Sequence, residues 1–242
     1  MGHLPSRPPN SENLKVNARP QILIFDVDGV LVDVRGSFHK STLDTVQHYT
    51  GKRFRPADIW RWKNQSGYND DWKLTTDWIC SLGVPVEYAE VKQQFQKSYW
   101  GTNGRGNVAL EKWLVSTAML RRLARRAELA VFTGRTRHEL RHTFERADVA
   151  QHFKSIITLD DVAWSKPAPE GLLKILASRD PASAFYLGDN VDDALAAKAA
   201  RVPFVGVLPR GSAARRVLGS KLRELGARTI LHRAADVLEW LR

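Results

Sequence analysis

Short apolar runs, separated by segments with helical periodicity, recur along this chain and indicate how it folds. Each run has the length of one strand and suits a strand that is buried on both faces of a parallel sheet. Helical patterns over residues 139–146, 170–177 and 193–200 lie between the runs. Strands that alternate with helices predict a doubly wound α/β domain. The predicted strands cover residues 21–25, 129–132, 156–159, 184–187 and 204–207.

The connection after the first predicted strand is unusually long. About a hundred residues separate that strand from the second, much more than a crossover between parallel strands requires. Apolar residues recur at helical spacing over 38–50, 70–82 and 86–99, so this stretch is expected to be helical. Because five of the eight tryptophans also fall within it, we expect the stretch to bury a small core of its own.

These patterns divide the chain into three predicted parts. Residues 36–106 are expected to form an all-helical domain, inserted into an α/β core that comprises residues 19–35 and 107–242. A further helix is expected at about 109–126, where the core resumes. Residues 1–18 contain several prolines and almost no apolar pattern, and we expect them to be a disordered tail.

The overall composition is that of an ordinary globular protein. Hydrophobic residues make up 43% and charged residues 26% of the 242 residues, which argues against disorder or a fibre. No apolar run approaches the roughly 20 residues of a membrane helix, and no secretory signal pattern follows the N-terminus. The single cysteine, Cys80, excludes an internal disulfide and is expected to be a small buried packing residue. These features predict a cytoplasmic protein with no membrane partner.

The charge balance is strongly basic. Thirty-seven Lys and Arg residues against 26 Asp and Glu residues give a formal net charge of +11, which attracts anions. Arg121, Arg122, Arg125 and Arg126 occur at helical spacing, which indicates a solvated helix face. This spacing favours a basic surface over a nucleic-acid interface and leaves open an attraction of small anionic substrates.

Two carboxylates follow the first predicted strand directly, in the sequence Asp26-Val27-Asp28-Gly29. In open α/β sheets, ligands bind at the C-terminal ends of the strands. Two acids at a strand end need a cation to neutralise them, and their hard oxygen atoms favour Mg²⁺. The same four residues also suit an ordinary turn, so this motif alone leaves both interpretations open.

Three other segments place polar residues at corresponding positions. Asp189 and Asp193 follow one predicted strand, Thr133 and Gly134 follow another, and Lys166 precedes a predicted helix. A hydroxyl group and a glycine N–H are donors that suit a phosphate oxygen. Since the C-terminal ends of parallel strands meet at one edge of a sheet, we expect these residues to lie near the first two acids.

This combination of residues, in this order, resembles the haloacid dehalogenase-like hydrolase superfamily over nearly the whole chain. The resemblance implies a Rossmann-like α/β core. The inserted helices resemble the C1-type cap of the phosphoglycolate phosphatase-like subgroup, and the implied partner is a small phosphorylated metabolite. The four motifs of the superfamily are matched by Asp26-Val27-Asp28, by Thr133, by Lys166, and by Asp189 with Asp193.

The resemblance implies a Mg²⁺-dependent phosphatase that works through a covalent aspartyl-phosphate. Asp26 would attack phosphorus, and Asp28 would first protonate the leaving alcohol and then activate water. The Mg²⁺ ion would be held by Asp26, by the backbone carbonyl of Asp28 and by Asp189. Asp193 would bind the ion either directly or through water.

The remaining motif residues would bind the phosphate group. Thr133 and the Gly134 N–H would hold its non-bridging oxygens, and Lys166 would offset its negative charge. Asp28 also separates two reactions of the superfamily, because a halide leaves without a proton whereas an alkoxide needs one. This residue therefore favours phosphoester hydrolysis over dehalogenation.

The inserted segment supplies candidates for substrate recognition. Lys63, Tyr68 and Asn69 lie in or beside a glycine-containing loop that could close over the site. A charged helix end followed by a turn explains the same residues. A phosphomutase or a phosphonatase of the same superfamily remains an alternative, and a phosphonatase would need Lys63 to form a Schiff base. A catalytically silent protein that binds phosphate or nucleic acid is the alternative from another class.

Overall fold

The computed structural model describes residues 20–209 and 213–242, so the predicted tail, residues 1–18, lies outside the described residues. Within the described ranges, six strands form one parallel sheet and two short strands form an antiparallel pair. The strands are β1 (Ile22–Phe25), β2 (Val32–Asp33), β3 (Lys112–Trp113), β4 (Glu128–Phe132), β5 (Ser155–Ile157), β6 (Ala184–Gly188), β7 (Phe204–Val207) and β8 (Thr229–Leu231).

The large sheet has the strand order β5-β4-β1-β6-β7-β8, and every neighbouring pair is parallel. Strand β1 lies between β4 and β6, with Phe25 in register with Val131 on one side and Leu187 on the other. The predicted doubly wound α/β fold is confirmed, and each of the five predicted strands overlaps an observed strand. Strand β8 is not among the predicted strands.

Side chains on the central strands alternate between two hydrophobic cores, one on each face of the sheet. Leu23 and Phe25 lie in one core, Ile22 and Ile24 lie in the other, and all four are completely buried. Burial on both faces explains why β1 is continuously apolar in sequence. The C-terminal ends of the strands are therefore where the sheet can offer polar groups to a ligand.

The helices either flank the sheet or lie in the long connection between β2 and β3. Those in the connection include the three that the sequence predicts over 38–50, 70–82 and 86–99. The helices of the described residues are α1 (Phe38–Thr50), α2 (Trp60–Lys63), α3 (Asp71–Ser81), α4 (Tyr88–Trp100), α5 (Thr117–Ala124), α6 (Arg137–Ala147), α7 (Glu170–Leu176), α8 (Val191–Ala200), α9 (Ala213–Glu224) and α10 (Val237–Trp240).

The helix expected at about 109–126 starts later than predicted. Residues Asn107–Leu110 form a short 3-10 helix, β3 follows, and α5 begins only at Thr117. The preceding Ser116 caps α5, since its hydroxyl accepts a hydrogen bond from the Met119 amide at 3.2 Å. The pairing of β3 with β2 holds the chain extended before this cap, so a tertiary contact overrides the local helical pattern.

The connection between β2 and β3 contains a hydrophobic core of its own. Helices α1, α3 and α4 pack against one another around it. Phe95 and Tyr99, by contrast, belong to the core beneath the sheet. The division at 35/36 and 106/107 stays a prediction, and the β2–β3 pair lies a few residues outside both boundaries. The buried residues of the separate core are Val46, Ile59, Leu74, Trp78, Ile79 and Val91.

The predictions about exposed and buried residues differ in outcome. Cys80 is exposed, so the expectation that it is buried is wrong. Its neighbour Ile79 faces the core. Consecutive side chains of an α-helix are rotated by about 100° about the helix axis, so Cys80 points away from that core. Across residues 20–209 and 213–242, each helix is too short or too polar to span a lipid bilayer. The four arginines of the predicted solvated face are exposed, namely Arg121, Arg122, Arg125 and Arg126.

Candidate active site

Three polar segments begin where three adjacent strands end. Asp26 follows β1, Thr133 follows β4 and Asp189 follows β6. Because β4 and β6 are hydrogen-bonded to opposite sides of β1 in matching register, these residues meet at one edge of the sheet. The predicted convergence of the strand-end motifs is therefore present in the fold.

The ammonium group of Lys166 lies at the centre of this edge. It donates to Asp26 Oδ1 at 2.8 Å and to Asp193 Oδ1 at 2.7 Å, and it lies 3.1 Å from the hydroxyl of Tyr186. Burial alone lowers the pKa of Lys166, but the carboxylates of Asp193 and Asp26 outweigh burial and raise it. Lys166 is therefore a buried cation held between two acids.

Tyr186 is a component of the site that the motifs do not reveal. Its hydroxyl, within strand β6, bonds Asp193 Oδ1 at 2.7 Å and lies 3.3 Å from the carbonyl of Phe132. In the sequence Tyr186 stands inside an apolar run, and none of the four motifs contains it. The available signal is its hydroxyl, because a tyrosine buried in a strand needs a polar partner.

Asp26, Asp189 and Asp193 form an acidic cluster in which ligand oxygens lie within 4.8 Å of one another. Burial, together with Asp193 and Asp28, raises the pKa of Asp26 to about 7, although Lys166 acts in the opposite direction. Burial and the neighbouring acids Asp193 and Asp26 raise the pKa of Asp189 well above its ordinary value. This excess of buried negative charge fits the donor set of a hard divalent cation.

Asp193 differs from the other two acids because hydrogen bonds engage both of its oxygens. Oδ1 accepts from Lys166 and Tyr186, and Oδ2 accepts from the backbone N–H groups of Asp189 and Asn190. The Asn190 side chain in turn accepts from the Asp193 amide at 2.9 Å, which completes a capping box at the start of α8. Asp193 therefore stabilises the start of α8 as well as adding negative charge to the site.

Gly29 allows Asp189 to approach the turn that follows Asp28. It has φ +75°, and a Cβ atom placed there would lie 1.9 Å from Asp189 Oδ2. Any other residue would both strain the backbone and displace the carboxylate. The glycine of the first motif is thus required by the position of an acid that is 160 residues away in the sequence.

Thr133 and Gly134 lie at the end of β4. Thr133 is buried, and its Oγ1 accepts a hydrogen bond from the Arg135 amide at 3.2 Å, which leaves the hydroxyl hydrogen available to a ligand. A Cβ atom on Gly134 would lie 2.4 Å from the Nδ2 atom of Asn69. The side chain of Asn69, from the inserted segment, therefore lies directly against the strand end.

The loop that carries Asn69 is fastened to the core through Asp192. The Asp192 carboxylate accepts from Ser66 Oγ at 2.6 Å, from the Gly67 amide at 3.0 Å and from the Asn69 amide at 3.1 Å. Asp192 is 2% exposed and lies in the first turn of α8. Its signal in the sequence is the additional acid beside Asp193.

The two other candidates from the inserted segment lie in different places. Lys63 forms a 2.8 Å ion pair with Asp71, and both side chains are largely buried at the cavity. Tyr68 stacks edge-on against Trp62 at 5.2 Å and packs on the separate core, and it is not among the cavity-lining residues. The structure thus brings Lys63 and Asn69 to the site but not Tyr68.

A cavity of about 80 Å³ lies between the sheet edge and the inserted helices, with room for a few water-sized groups. Thr133, Lys166 and Asp193 are buried and are not among the residues that line it. Its polar lining includes Asp26, Asp28, Lys63, Asn69, Gly134, Arg135 and Asp189, and its aromatic lining includes Phe38, Trp60 and Trp72.

A family model for haloacid dehalogenase-like hydrolases matches residues 23–207. The chain belongs to this family. The match spans every strand-end motif described above, from β1 to β7. The protein is accordingly an enzyme of the hydrolase class.

Relatives of this haloacid dehalogenase-like hydrolase carry different names. An imidazoleglycerol-phosphate dehydratase of Phytophthora nicotianae is 31% identical over 227 residues, which cover 87% of this chain but only 50% of the relative. The chain therefore spans about half the length of that protein. The pyrophosphatase PpaX of Anoxybacillus flavithermus is 26% identical over 195 residues, 76% of this chain and 82% of the relative.

Solved structures share the fold. The crystal structure of a predicted phosphoglycolate phosphatase from Haemophilus somnus superposes with a TM-score of 0.73. It covers 93% of this chain and 100% of its own, at 18% sequence identity. At this identity the likeness establishes that this haloacid dehalogenase-like hydrolase has the same α/β fold, and nothing about substrates.

Proposed function

We propose that this hydrolase is a Mg²⁺-dependent phosphatase that cleaves a small phosphomonoester through a covalent aspartyl-phosphate. The observation that carries the proposal is the convergence of Asp26, Lys166 and Asp189 at one sheet edge, beside a cavity that Asp28 also lines. The arrangement supplies a nucleophile, a cation, a metal ligand and a proton donor within one small volume.

Asp26 is the proposed nucleophile. Lys166 holds its Oδ1, while Oδ2 has no hydrogen-bond donor among the described residues. The free oxygen attacks phosphorus, the P–O bond to the alcohol breaks, and the phosphoryl group is carried on Asp26. Attack by water then releases inorganic phosphate and restores the carboxylate.

Asp28 is the proposed general acid and base. It gives a proton to the departing alkoxide and afterwards takes one from the attacking water. A halide would need no such proton, so the presence of Asp28 beside the cavity favours phosphoester hydrolysis over dehalogenation. Its side chain is 29% exposed, so it can exchange protons with the cavity.

The residues present fit a Mg²⁺ ion. Asp189 is a half-buried carboxylate with no ammonium or guanidinium group in direct contact among the described residues, and burial together with Asp193 and Asp26 raises its pKa. We propose that Asp26, the Asp28 carbonyl and Asp189 hold the ion. Asp193 would act on it through water, because both of its oxygens already accept hydrogen bonds. When bound, Mg²⁺ supplies positive charge that offsets the charge on the phosphate group.

Three groups of this chain would hold the phosphate oxygens. The hydroxyl of Thr133 and the N–H of Gly134 donate to non-bridging oxygens, and the Lys166 ammonium offsets their charge. We propose that the inserted segment, residues 36–106, acts as a cap. Asn69 and Lys63 of this segment would contact the substrate. The small cavity favours a substrate with a short leaving group.

A phosphonatase is disfavoured by the surroundings of Lys63. Burial lowers its pKa, but the Asp71 carboxylate at 2.8 Å reverses this effect, and the pKa lies above its ordinary value. A Schiff base requires a neutral amine, whereas Lys63 is held as an ammonium ion. We therefore expect that borohydride does not trap a substrate adduct at Lys63.

The test is turnover of p-nitrophenyl phosphate and of a phosphoester panel with Mg²⁺. The panel includes pyrophosphate and imidazoleglycerol phosphate, which the names of the relatives suggest. Asp26→Asn should lower kcat by at least ~10³-fold, because an amide oxygen is a poor nucleophile. Asp148→Asn, at an exposed left-handed position where asparagine fits well, is the matched control and should keep wild-type turnover.

Two results would contradict the proposal. One is a folded, Mg²⁺-loaded protein with no turnover across the panel, which would favour a catalytically silent phosphate-binding protein. The other is undiminished turnover by Asp26→Asn. A mass increase of one phosphoryl group on the peptide that contains Asp26, after a rapid acid quench, would identify the covalent intermediate directly.

A further inference from the structure

Arg135 has a fully buried side chain directly beside the site. It follows Gly134 at the end of β4, and its side-chain exposure is 0%. The guanidinium group contacts Asp28 Oδ1 through Nε at 2.8 Å and through Nη2 at 2.6 Å. Two nitrogen atoms of one rigid, planar group therefore hold a single oxygen of Asp28.

The opposite side of the guanidinium group is fixed by Glu111. Nη2 donates to Glu111 Oε1 at 2.8 Å, and Nη1 donates to Glu111 Oε2 at 3.2 Å. Glu111 itself accepts from Tyr99 of α4 at 3.0 Å and from Thr143 of α6 at 2.8 Å. Thr143 also accepts from Arg135 Nη1 at 2.6 Å. Residues from two helices thus determine where the guanidinium group lies.

The two oxygens of Asp28 have different surroundings. Oδ1 is held by Arg135, whereas Oδ2 has no hydrogen-bond partner among the described residues. Asp28 and Arg135 both line the cavity. One oxygen is therefore anchored and the other is available for proton exchange with a leaving group or with water.

We propose that Arg135 is a positioning residue that orients Asp28 for proton transfer, with Glu111 as the group that fixes Arg135. The inference rests on the proposed phosphatase function, and it assigns roles to two residues that the four motifs do not contain. In this role Arg135 does not touch the transferred phosphoryl group. Its effect is confined to the step in which Asp28 delivers or removes a proton.

A purely structural ion pair would behave differently. It would affect folding, or it would affect all substrates to the same extent. A positioning role predicts a loss that depends on the leaving group, because p-nitrophenolate departs with little help from an acid whereas phenolate needs protonation more. The ratio of kcat/KM for these two aryl phosphates therefore reports the proton transfer specifically.

The experiment compares Arg135→Lys with Arg137→Lys in the presence of Mg²⁺. Lysine keeps the buried positive charge but cannot hold Asp28 and Glu111 together as a planar fork. For Arg135→Lys we expect kcat/KM to fall ~30-fold or more with phenyl phosphate and less than ~3-fold with p-nitrophenyl phosphate. Arg137→Lys, the same change at a half-exposed arginine two residues away, should leave both values unchanged.

Glu111→Gln provides a second variant that removes charge without removing volume. It should shift the same ratio in the same direction by a smaller factor, since Arg135 then keeps its contact with Asp28. Equal losses with both substrates in the two variants would overturn the proposal. If the wild-type protein hydrolyses neither these aryl phosphates nor any other member of the phosphoester panel, the proposed function fails instead, so the two failures are distinguishable.

Discussion

At the scale of single residues, the site is an arrangement of acids that would repel one another without a cation. Lys166 supplies one positive charge to Asp26 and Asp193, and Asp189 is left without such a partner among the described residues. Burial raises the free energy of each carboxylate whose negative charge no cation compensates. The position of Asp189 therefore argues for a metal ion more strongly than the sequence motif does.

The pH dependence of stability follows from Asp26. Its pKa is about 7 in the folded protein against an ordinary value of 3.8, so the folded state retains a proton that the unfolded chain loses. The stability associated with this proton is complete below about 4 and is lost as the pH rises through about 7. A bound cation replaces the proton, so we expect Mg²⁺ to stabilise the protein more at pH 8 than at pH 5, by ~1 kcal/mol or more.

Denaturant unfolding at both pH values, with Mg²⁺ or with EDTA, measures this difference. His39 is also buried, and burial lowers its pKa to about 4, which acts in the opposite direction over an overlapping pH range. The comparison with and without Mg²⁺ cancels that contribution, because His39 is present in both. Asp189→Asn should lose most of the stabilisation. An equal effect of Mg²⁺ at the two pH values would count against metal binding by this cluster.

At the scale of elements, the loop between α2 and α3 depends on one carboxylate of α8. Ser66, Gly67 and Asn69 all donate to Asp192, and this contact brings the Asn69 side chain against Gly134. A charged acceptor for backbone N–H groups is stronger than a neutral one. The inserted segment is therefore held over the cavity by hydrogen bonds that are independent of the catalytic motifs.

Asp192→Asn tests this contact. It keeps the shape of the side chain and removes its charge, so we expect the free energy of unfolding to fall by ~1–3 kcal/mol. Hydrogen exchange of the Gly67 and Asn69 amides should become faster, and kcat/KM should fall as Asn69 loses its position. The control is Asp160→Asn, an exposed acid that accepts the Arg137 amide at 2.7 Å. Unchanged exchange at residues 67 and 69 would show that other contacts hold the loop.

At the scale of the whole molecule, the inserted helices have both a separate core and a connection to the sheet. Leu74 and Trp78 belong to the separate core, whereas Phe95 and Tyr99 extend into the core beneath the sheet. A segment with its own core can open locally without global unfolding. The shared aromatic residues limit how freely it can do so.

Leu74→Ala and Leu172→Ala test whether the inserted segment opens locally or only together with the sheet. Both leucines are completely buried, the first in the separate core and the second in the core between the sheet and α7. Each change should lower the free energy of unfolding by ~2–5 kcal/mol. Leu74→Ala should accelerate hydrogen exchange mainly in α1, α3 and α4, and Leu172→Ala mainly in β1 and β6. The same exchange pattern in both variants would contradict a distinct unit over residues 36–106.

Much of the fold could be predicted because its signals are local. A continuously apolar run predicts a strand that is covered on both faces, and β1 is such a strand. The helix expected at 109–126 begins only at Thr117 because β3 pairs with β2, and a single sequence does not report a contact between residues 80 positions apart. Likewise, the exposure of Cys80 depends on which face of α3 meets α1 and α4.

The chemical groups at the strand ends can be read from the sequence alone, because strand length and motif spacing are properties of a few adjacent residues. How those groups are paired follows from the three-dimensional packing of the chain. The contacts of Arg135 with Asp28 and Glu111, of Tyr186 with Asp193, and of Asp192 with the loop at Gly67 join distant parts of the chain. Such pairings depend on strand order and helix packing, since burial obliges each polar group to find a partner wherever the fold places one.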